Sequence, residues 1–224
     1  MYKGYDRKRI GIPPINIPIE DFLDESTWII ADTHLFHGTE DDPRIVKYAN
    51  RPLNHNNLII EGWNQLVQPK DNILHLGDVI LASVRIMRDV APLLRGNKYL
   101  IKGNHDSRRK LRNNMGFRPV QRVELRIKGR VWHYVRVNSY GVVFSHQPLP
   151  LGWLGQNKLL NLHGHIHNRE DVSPRHINMS VEVRGYLPQR FGEVLKEIDN
   201  SDRPKRYIQE ETLSAEKSIT ISTT

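Results

Sequence analysis

Three short apolar runs, each ending in polar groups, constrain this chain more than any other feature. Trp28-Ile29-Ile30-Ala31 runs into Asp32-Thr33-His34, Asn72-Ile73-Leu74-His75-Leu76 into Gly77-Asp78, and Lys98-Tyr99-Leu100-Ile101-Lys102 into Gly103-Asn104-His105-Asp106. A strand with one wet face alternates apolar and polar residues, so an uninterrupted apolar run suits a strand covered on both faces. His75, inside the second run, reads as a hydrogen-bonded core histidine. Helical spacing fills the gaps. Pro43 to Asn50 suits a short helix. His55 to Val67 suits a longer one, capped by Asn54, with Leu58, Ile59, Trp63, Leu66 and Val67 on its buried side. Ser83 to Leu94 follows, stopped by Gly96-Asn97, and a basic segment from Arg108 to Asn114 is closed by Gly116. The rhythm of strand, helix, strand, helix, strand predicts a parallel sheet with helical crossovers. In such a sheet, ligand-binding groups gather at the carboxyl ends of the strands.

After Pro119 the pattern changes. Val123, Leu125, Ile127, Val131, His133, Val135 and Val137 alternate with polar residues, and turns are signalled at Lys128-Gly129-Arg130 and Asn138 to Gly141. This predicts an antiparallel meander with one wet face. Gly141 to Phe144 then leads to Ser145-His146, Pro148 to Gly155 reads as a loop, and Val181-Glu182-Val183 as a strand before Tyr186-Leu187-Pro188. A last helix is expected from about Phe191 to Ile198. Residues 1–26 read as a basic, proline-bearing extended arm that packs through Ile10, Ile12, Ile15, Ile17 and Ile19. Residues 27–199 read as the domain, and 200–224 as a polar tail whose end, Ile219 to Thr224, is either loose or an edge strand.

With 224 residues and 38% apolar content, a single domain with a sizeable core is expected. There are no cysteines, which excludes disulfides and thiolate metal sites. No apolar run approaches the roughly 18 residues that cross a bilayer, and no signal-peptide stretch follows the basic start, so a soluble, cytoplasmic protein without a membrane partner is expected. The formal charge of +8 favours anionic partners such as nucleotides, nucleic acid or other phosphates, although the Lys and Arg residues are dispersed.

The stretch Asn161-Leu162-His163-Gly164-His165-Ile166-His167-Asn168 completes the picture. In an extended segment His165 and His167 point the same way, and a glycine between ligands lets backbone approach an ion. Collected with the other polar strand ends, the candidates are Asp32, His34, Asp78, Asn104, His105, His146, His165 and His167. Oxygen and imidazole donors without sulfur suit Mn, Fe, Zn or Ni. Eight groups are too many for one tetrahedral zinc. They suit two ions sharing a carboxylate, with one histidine left for proton transfer; two ions about 3.5–4 Å apart clamp an in-line phosphoryl displacement.

The order and spacing of these groups resemble the calcineurin-like metallophosphoesterase superfamily, whose series is D-x-H, G-D, G-N-H-[DE], H and G-H-x-H. The resemblance covers about Trp28 to Ile198. It is nearest to small single-domain bacterial and phage phosphoesterases, which share the D-T-H-x-x-H start reaching His37, Arg51-Pro52, His75 to Asp78, and a V-E-x-x-x-Y-x-P run at Val181 to Pro188. It implies an α/β sandwich of two stacked mixed β-sheets flanked by helices, in four layers. It further implies that Asp32, His34 and His167 bind one ion, that Asn104, His146 and His165 bind the other, and that Asp78 bridges them. A hydroxide between the ions would attack phosphorus in line, and His105 would protonate the leaving oxygen. The resemblance makes the chain a phosphoester hydrolase using two divalent ions, Mn²⁺ foremost.

His37 and Arg51 are candidate phosphate contacts or structural residues. His163 is expected to point away from the metals. Two departures from the superfamily pattern matter. Phosphoprotein phosphatases carry G-D-x-x-D-R-G, whereas Asp78 here is followed by Val79-Ile80-Leu81-Ala82-Ser83. Asp106 could replace the missing aspartate, but is expected only to shape its turn. The segment Val123 to Val143 is also long for the small subfamily. Its neighbourhood carries Arg122, Arg126, Lys128, Arg130 and Arg136, read as a solvated face, with lining of the substrate side as the alternative. A phosphodiesterase is therefore expected first. The alternatives are a DNA or RNA nuclease, a phosphomonoesterase, and, behind them, a nucleic-acid-binding protein without turnover.

Overall fold

The computed structural model describes residues 16–38 and 44–206. In chain order the elements are β1 (Trp28–Ile30), α1 (Arg44–Ala49), α2 (His55–Leu66), β2 (Asn72–His75), α3 (Val84–Val90), β3 (Asn97–Leu100), α4 (Arg108–Met115), β4 (Arg118–Pro119), β5 (Val123–Ile127), β6 (Arg130–Val137), β7 (Val142–Ser145), α5 (Leu151–Gln156), β8 (Leu160–His163), β9 (His176–Asn178), β10 (Gln189–Arg190) and α6 (Phe191–Asp199). They build two five-stranded sheets, ordered β10-β1-β2-β3-β4 and β5-β6-β7-β8-β9. In the first, β1 to β4 are parallel and β10 joins β1 antiparallel. In the second, β5 to β7 form the expected antiparallel meander, and β8 and β9 then add in parallel. Both sheets are mixed and flanked by helices, as the resemblance implied. Among the described residues, no helix is long and apolar enough to cross a membrane.

The uninterrupted apolar runs serve two cores. Ile29, Ala31, Leu74, Leu76, Tyr99 and Ile101 face the second sheet, where they meet Val135, Val142, Phe144, Leu160, Leu162 and Ile177, with Phe191, Leu195 and Ile198 of α6. Trp28, Ile30, Ile73 and Leu100 face the other way, onto Ile59, Trp63 and Val67 near α2, Met87 and Val90 of α3, and Leu111 and Met115 of α4. The fourth layer is thin. Val143 packs under Leu149, Leu154 and Leu159, with Trp132, Tyr134 and Trp153 at the margin.

Local chemistry ends the helices. Ser83 caps α3, accepting a hydrogen bond from Ile86 N, and Pro92 turns the expected helix to Leu94 into a 3-10 turn over Ala91–Leu93. Ser107 caps α4, and Gly116 closes it in the left-handed region, φ 73°. Lys128 and Gly129, with φ 48° and 77°, form a two-residue hairpin turn.

Several expectations need correction. Asn54 precedes α2, but its side chain makes no capping bond. Leu58 is exposed, and so are Val123 and Val131 on the meander. The loop at Pro148 to Gly155 contains α5, because burying Leu154 outweighs the poor helix propensity of two glycines. Val181–Val183 is a 3-10 turn rather than a strand. Of the arm, Ile17 bridges Val120 and Ile19 is buried, whereas Ile10, Ile12 and Ile15 lie outside the described residues. The tail begins packed: Arg203 pairs with Asp171 at 2.7 Å and donates to His176 O. Ile219 to Thr224 lie outside the described residues.

Candidate metal centre

The polar groups at the strand ends converge. Asp32 and His34 follow β1, Asp78 follows β2, Asn104 and His105 follow β3, His146 follows β7, and His165 and His167 follow β8. Two groups of ligand atoms lie within 4.8 Å of one another, Asp32 with His34 and His167, and Asp32 with Asp78 and His146. A third cluster extends the second group. Asn104 Oδ1 is 2.7 Å from His146 Nε2 and 2.9 Å from His165 Nδ1, and those two nitrogens are 3.3 Å apart. All seven expected ligands thus sit at one end of the sandwich.

The backbone is bent to put them there. Asp32, His34, Asp78, His165 and His167 all have positive φ, between 43° and 75°. Non-glycine residues adopt this region at a cost, and such strain gathers at functional sites. The convergence of His165 and His167 therefore has a different cause from the expected one. β8 stops at His163, and two left-handed residues, not strand alternation, swing both imidazoles inward. Glycine is required at two positions between ligands: a Cβ on Gly164 would overlap Asp32 Oδ2, and one on Gly103 would overlap Asp78 Oδ1.

The donor set fits cations. Asp32 Oδ2 accepts from His165 N and from Ser180 Oγ, both at 2.8 Å, while buried Oδ1 has no hydrogen-bond partner. Both ring nitrogens of buried His34 also lack one; Nε2 is 3.4 Å from Asp78 Oδ2, but not in hydrogen-bonding geometry. Orphaned buried atoms of this kind carry a desolvation cost that a coordinated ion would offset. Burial pushes the Asp32 carboxyl above its ordinary value. Burial also pulls His34 down to about 4, which favours the neutral ring with one nitrogen lone pair to offer a cation. At Asp78 burial works upward, but His146 and His34 outweigh it and hold the carboxyl low and ionised. At His146 burial works downward, but Asp78 and Asp32 outweigh it and raise the imidazole. The His146 ring is oriented by its Nδ1, which donates to Leu76 O at 3.0 Å.

Residues behind the ligands hold them. Asp106, buried, accepts from Asp78 N, Val79 N and Gly103 N at 2.8–3.0 Å, so it shapes the turn as expected and does not orient His105. Arg51, read as either a phosphate contact or a structural residue, matches the structural alternative: its buried guanidinium donates to Asp32 O (2.5 Å), Thr33 O (2.7 Å) and Glu182 Oε1 (2.6 Å). Glu182, noted in the sequence only within the Val181 to Pro188 run, is a candidate site residue that sequence reasoning did not single out. His167 Nδ1 donates to its Oε1 at 2.8 Å, leaving Nε2 as the nitrogen that could hold a cation. The available signal was a carboxylate set between Val181 and Val183. His163 turns away as expected: its Nδ1 donates to Gly164 O, and burial pulls it down to about 4. Buried His75 contacts Thr33 Oγ1 at 2.9 Å and accepts from Gly77 N, as a core histidine.

A cavity of about 650 Å³ opens over the ligands, lined by His34, His37, Ile45, Tyr48, Asp78, Asn104, His105, His165 and His167, among others. His105 is exposed at this cavity, its ring 5.5 Å from that of His34 and 5.9 Å from that of His37, and it belongs to neither ligand group.

This arrangement of buried carboxylates and imidazoles under an open cavity can hold ions against a phosphate ester. A model of the calcineurin-like phosphoesterases matches residues 26–210. An uncharacterised protein of Methanocaldococcus jannaschii is 29% identical over 191 residues, covering 77% of this chain and 90% of its own. A protein of unknown function from Aquifex aeolicus shares the fold, with a TM-score of 0.53, 22% identity, and coverage of 77% of this chain and 98% of its own. An archaeal phosphodiesterase superposes more loosely, with a TM-score of 0.33, 18% identity, and coverage of 69% and 82%. The family match spans most of the chain, which belongs to the calcineurin-like phosphoesterases, metal-dependent hydrolases of phosphate esters.

Proposed function

We propose that the chain hydrolyses a phosphodiester with two divalent ions, Mn²⁺ first among Mn, Fe, Zn and Ni. The observation that carries this reading is the place of Asp78 Oδ2, 3.4 Å from His34 Nε2 and 3.3 Å from His146 Nε2. One carboxylate oxygen therefore neighbours both ligand groups. This supports Asp32, His34 and His167 on one ion, Asn104, His146 and His165 on the other, and Asp78 between them. Bound ions would polarise the phosphoryl oxygens and activate water near neutral pH.

The chain's own groups do the rest. His105, exposed in the cavity and outside the ligand groups, delivers a proton to the leaving oxygen. His37, which lines the cavity, offers its ring to a phosphoryl oxygen. Asp106 is committed to backbone amides and cannot steady His105 as a second aspartate would, which favours a diester over a Ser/Thr phosphatase substrate. The +8 charge suits a nucleotide or nucleic-acid substrate, and the cysteine-free chain suits the cytoplasm.

The test is hydrolysis of bis-p-nitrophenyl phosphate, p-nitrophenyl phosphate and single-stranded DNA with Mn²⁺, alongside metal analysis. The diester should turn over faster than the monoester, with close to two ions per chain. A faster monoester would overturn the diester preference, and full activity with one ion would overturn the shared carboxylate.

A further inference from the structure

Resting on the phosphodiesterase reading, we propose a second phosphate subsite beside the metal centre. Lys102, Arg122 and His133 wall it, and it takes a phosphate one unit along the substrate from the scissile one. A cavity of about 230 Å³ is lined by these three residues together with Asn104, Trp132 and His146, among others. Asn104 also lines the main cavity, so the two spaces adjoin across one ligand.

Strand register creates this space. Pairing of β6 with β7 ends at Tyr134↔Ser145, while β6 stays paired to β5 as far as Arg130. Arg130 to His133 therefore overhang the end of β7 at which the ligands emerge. Val135 and Val137 enter the core between the sheets. By alternation, Val131 and His133 continue that face beyond the core. There they meet Lys102 to Asn104, leaving β3 on the opposite sheet.

The charges of the cavity call for an anion. Arg122 is half-buried and makes no hydrogen bond or ion pair with any described residue; the one carboxylate whose field reaches it is Glu124. A cation withdrawn from water without a partner is costly. Burial and neighbouring Arg108 pull Arg122 down to about 10, the direction expected of a cation without an anion. Lys102 Nζ donates to Gly103 O at 2.7 Å. The nearby carboxylate, Glu124, is engaged by Arg126 at 2.5 Å and reaches His133 at 3.6 Å. A guanidinium and an ammonium lining one cavity match phosphate oxygens. A phosphate in this cavity and another over the ions belong to one chain-like substrate of the oligonucleotide type. Exposed Arg126, Lys128 and Arg130 at the hairpin tip remain a solvated face.

Two substrates test this, the p-nitrophenyl ester of thymidine 5′-phosphate and the same ester carrying a 3′-phosphate. The Mn²⁺-loaded enzyme should prefer the 3′-phosphorylated ester by about tenfold in kcat/KM, the scale of one charge-assisted contact. Arg122→Ala should erase that preference and Arg122→Lys should keep part of it. Arg126→Ala should leave it intact. Calorimetric binding of thymidine 3′,5′-bisphosphate should weaken about tenfold in Arg122→Ala, whose melting temperature should match the parent's. A wild type without preference, a preference that survives Arg122→Ala, or unchanged bisphosphate binding would overturn the subsite. If neither ester reacts while bisphosphate binding still depends on Arg122, the phosphodiesterase reading fails and the subsite stands.

Discussion

Arg51→Ala separates two roles for a buried guanidinium. Arg51 donates to the carbonyls of Asp32 and Thr33, and through Nε and Nη2 to Glu182 Oε1, at 2.5–2.9 Å, with both charged groups buried. Removing one partner of a buried pair costs about 3–5 kcal/mol, because the other is left uncompensated. Here the remaining Glu182 carboxylate would face only His167, and two carbonyls would lose their donors. For a domain of this size each kcal/mol moves Tm by roughly 2–4 °C, so the metal-free variant should melt about 6–20 °C below the parent. Scanning calorimetry reads this directly. The double variant Arg51→Leu/Glu182→Leu should recover much of the loss, because no unpaired charge remains. It should not recover metal affinity, since His167 Nδ1 has lost its acceptor; a loss of about 10–100-fold is expected for a group of this kind. If Arg51→Ala melts within about 2 °C of the parent and instead raises KM for the phosphate ester, Arg51 contacts substrate and the positioning argument is wrong.

Three further outcomes follow from the same geometry. Asp78→Asn should weaken both ions and lower turnover at least about 10²-fold, read by metal analysis and a Mn²⁺ titration; wild-type activity at saturating metal would refute the bridging role. His105→Ala should keep its metal content but lose about 10²–10⁴-fold in kcat on an alkyl diester, and less on a p-nitrophenyl ester, whose leaving group needs no proton. An equal drop on both esters would refute proton donation. Gly164→Ala should cost about 1–3 kcal/mol and displace Asp32, because its Cβ would overlap Asp32 Oδ2 and lie 2.8 Å from Ala31 Cβ; an unchanged Tm and kcat would refute the close approach.

The order of the ligands and the two-sided burial of β1, β2 and β3 were legible because each rests on a local pattern. An apolar run without alternation would leave side chains in water anywhere but between two layers, and Ile29 and Ile30 do enter opposite cores. What could not be read depends on distant partners. β10 is two residues, Gln189 and Arg190, without an apolar signal; part of what holds it is the Arg190 guanidinium, 4.1 Å over the Trp28 ring. Val181-Glu182-Val183 has strand composition, yet it turns as a 3-10 helix that buries Val181 and brings Glu182 to Arg51 and His167. Alternation predicted the right destination for His165 and His167 for the wrong reason, since strain imposed by the whole site sets their φ angles. Arg51 shows the same limit: its residue type fits phosphate, but only the fold reveals that its donors are already used.

The catalytic end of the sandwich is also a seam. Asp32, Asp78 and Asn104 come from the sheet of β1 to β4, and His146, His165 and His167 from the other. Even without an ion, Asp32 Oδ2 ties the two by accepting from His165 N, 133 residues away along the chain. Either proposed ion would draw ligands from both sheets, so it would resist their sliding apart as well as serve chemistry. Ligand-linked stability grows with occupancy, by about 2.7 kcal/mol at a hundredfold excess over Kd. Chelation should therefore loosen the join between the sheets, and amide exchange should quicken first at the ligand-bearing ends of β1 and β8, while the apolar far end, anchored by α6, stays closed.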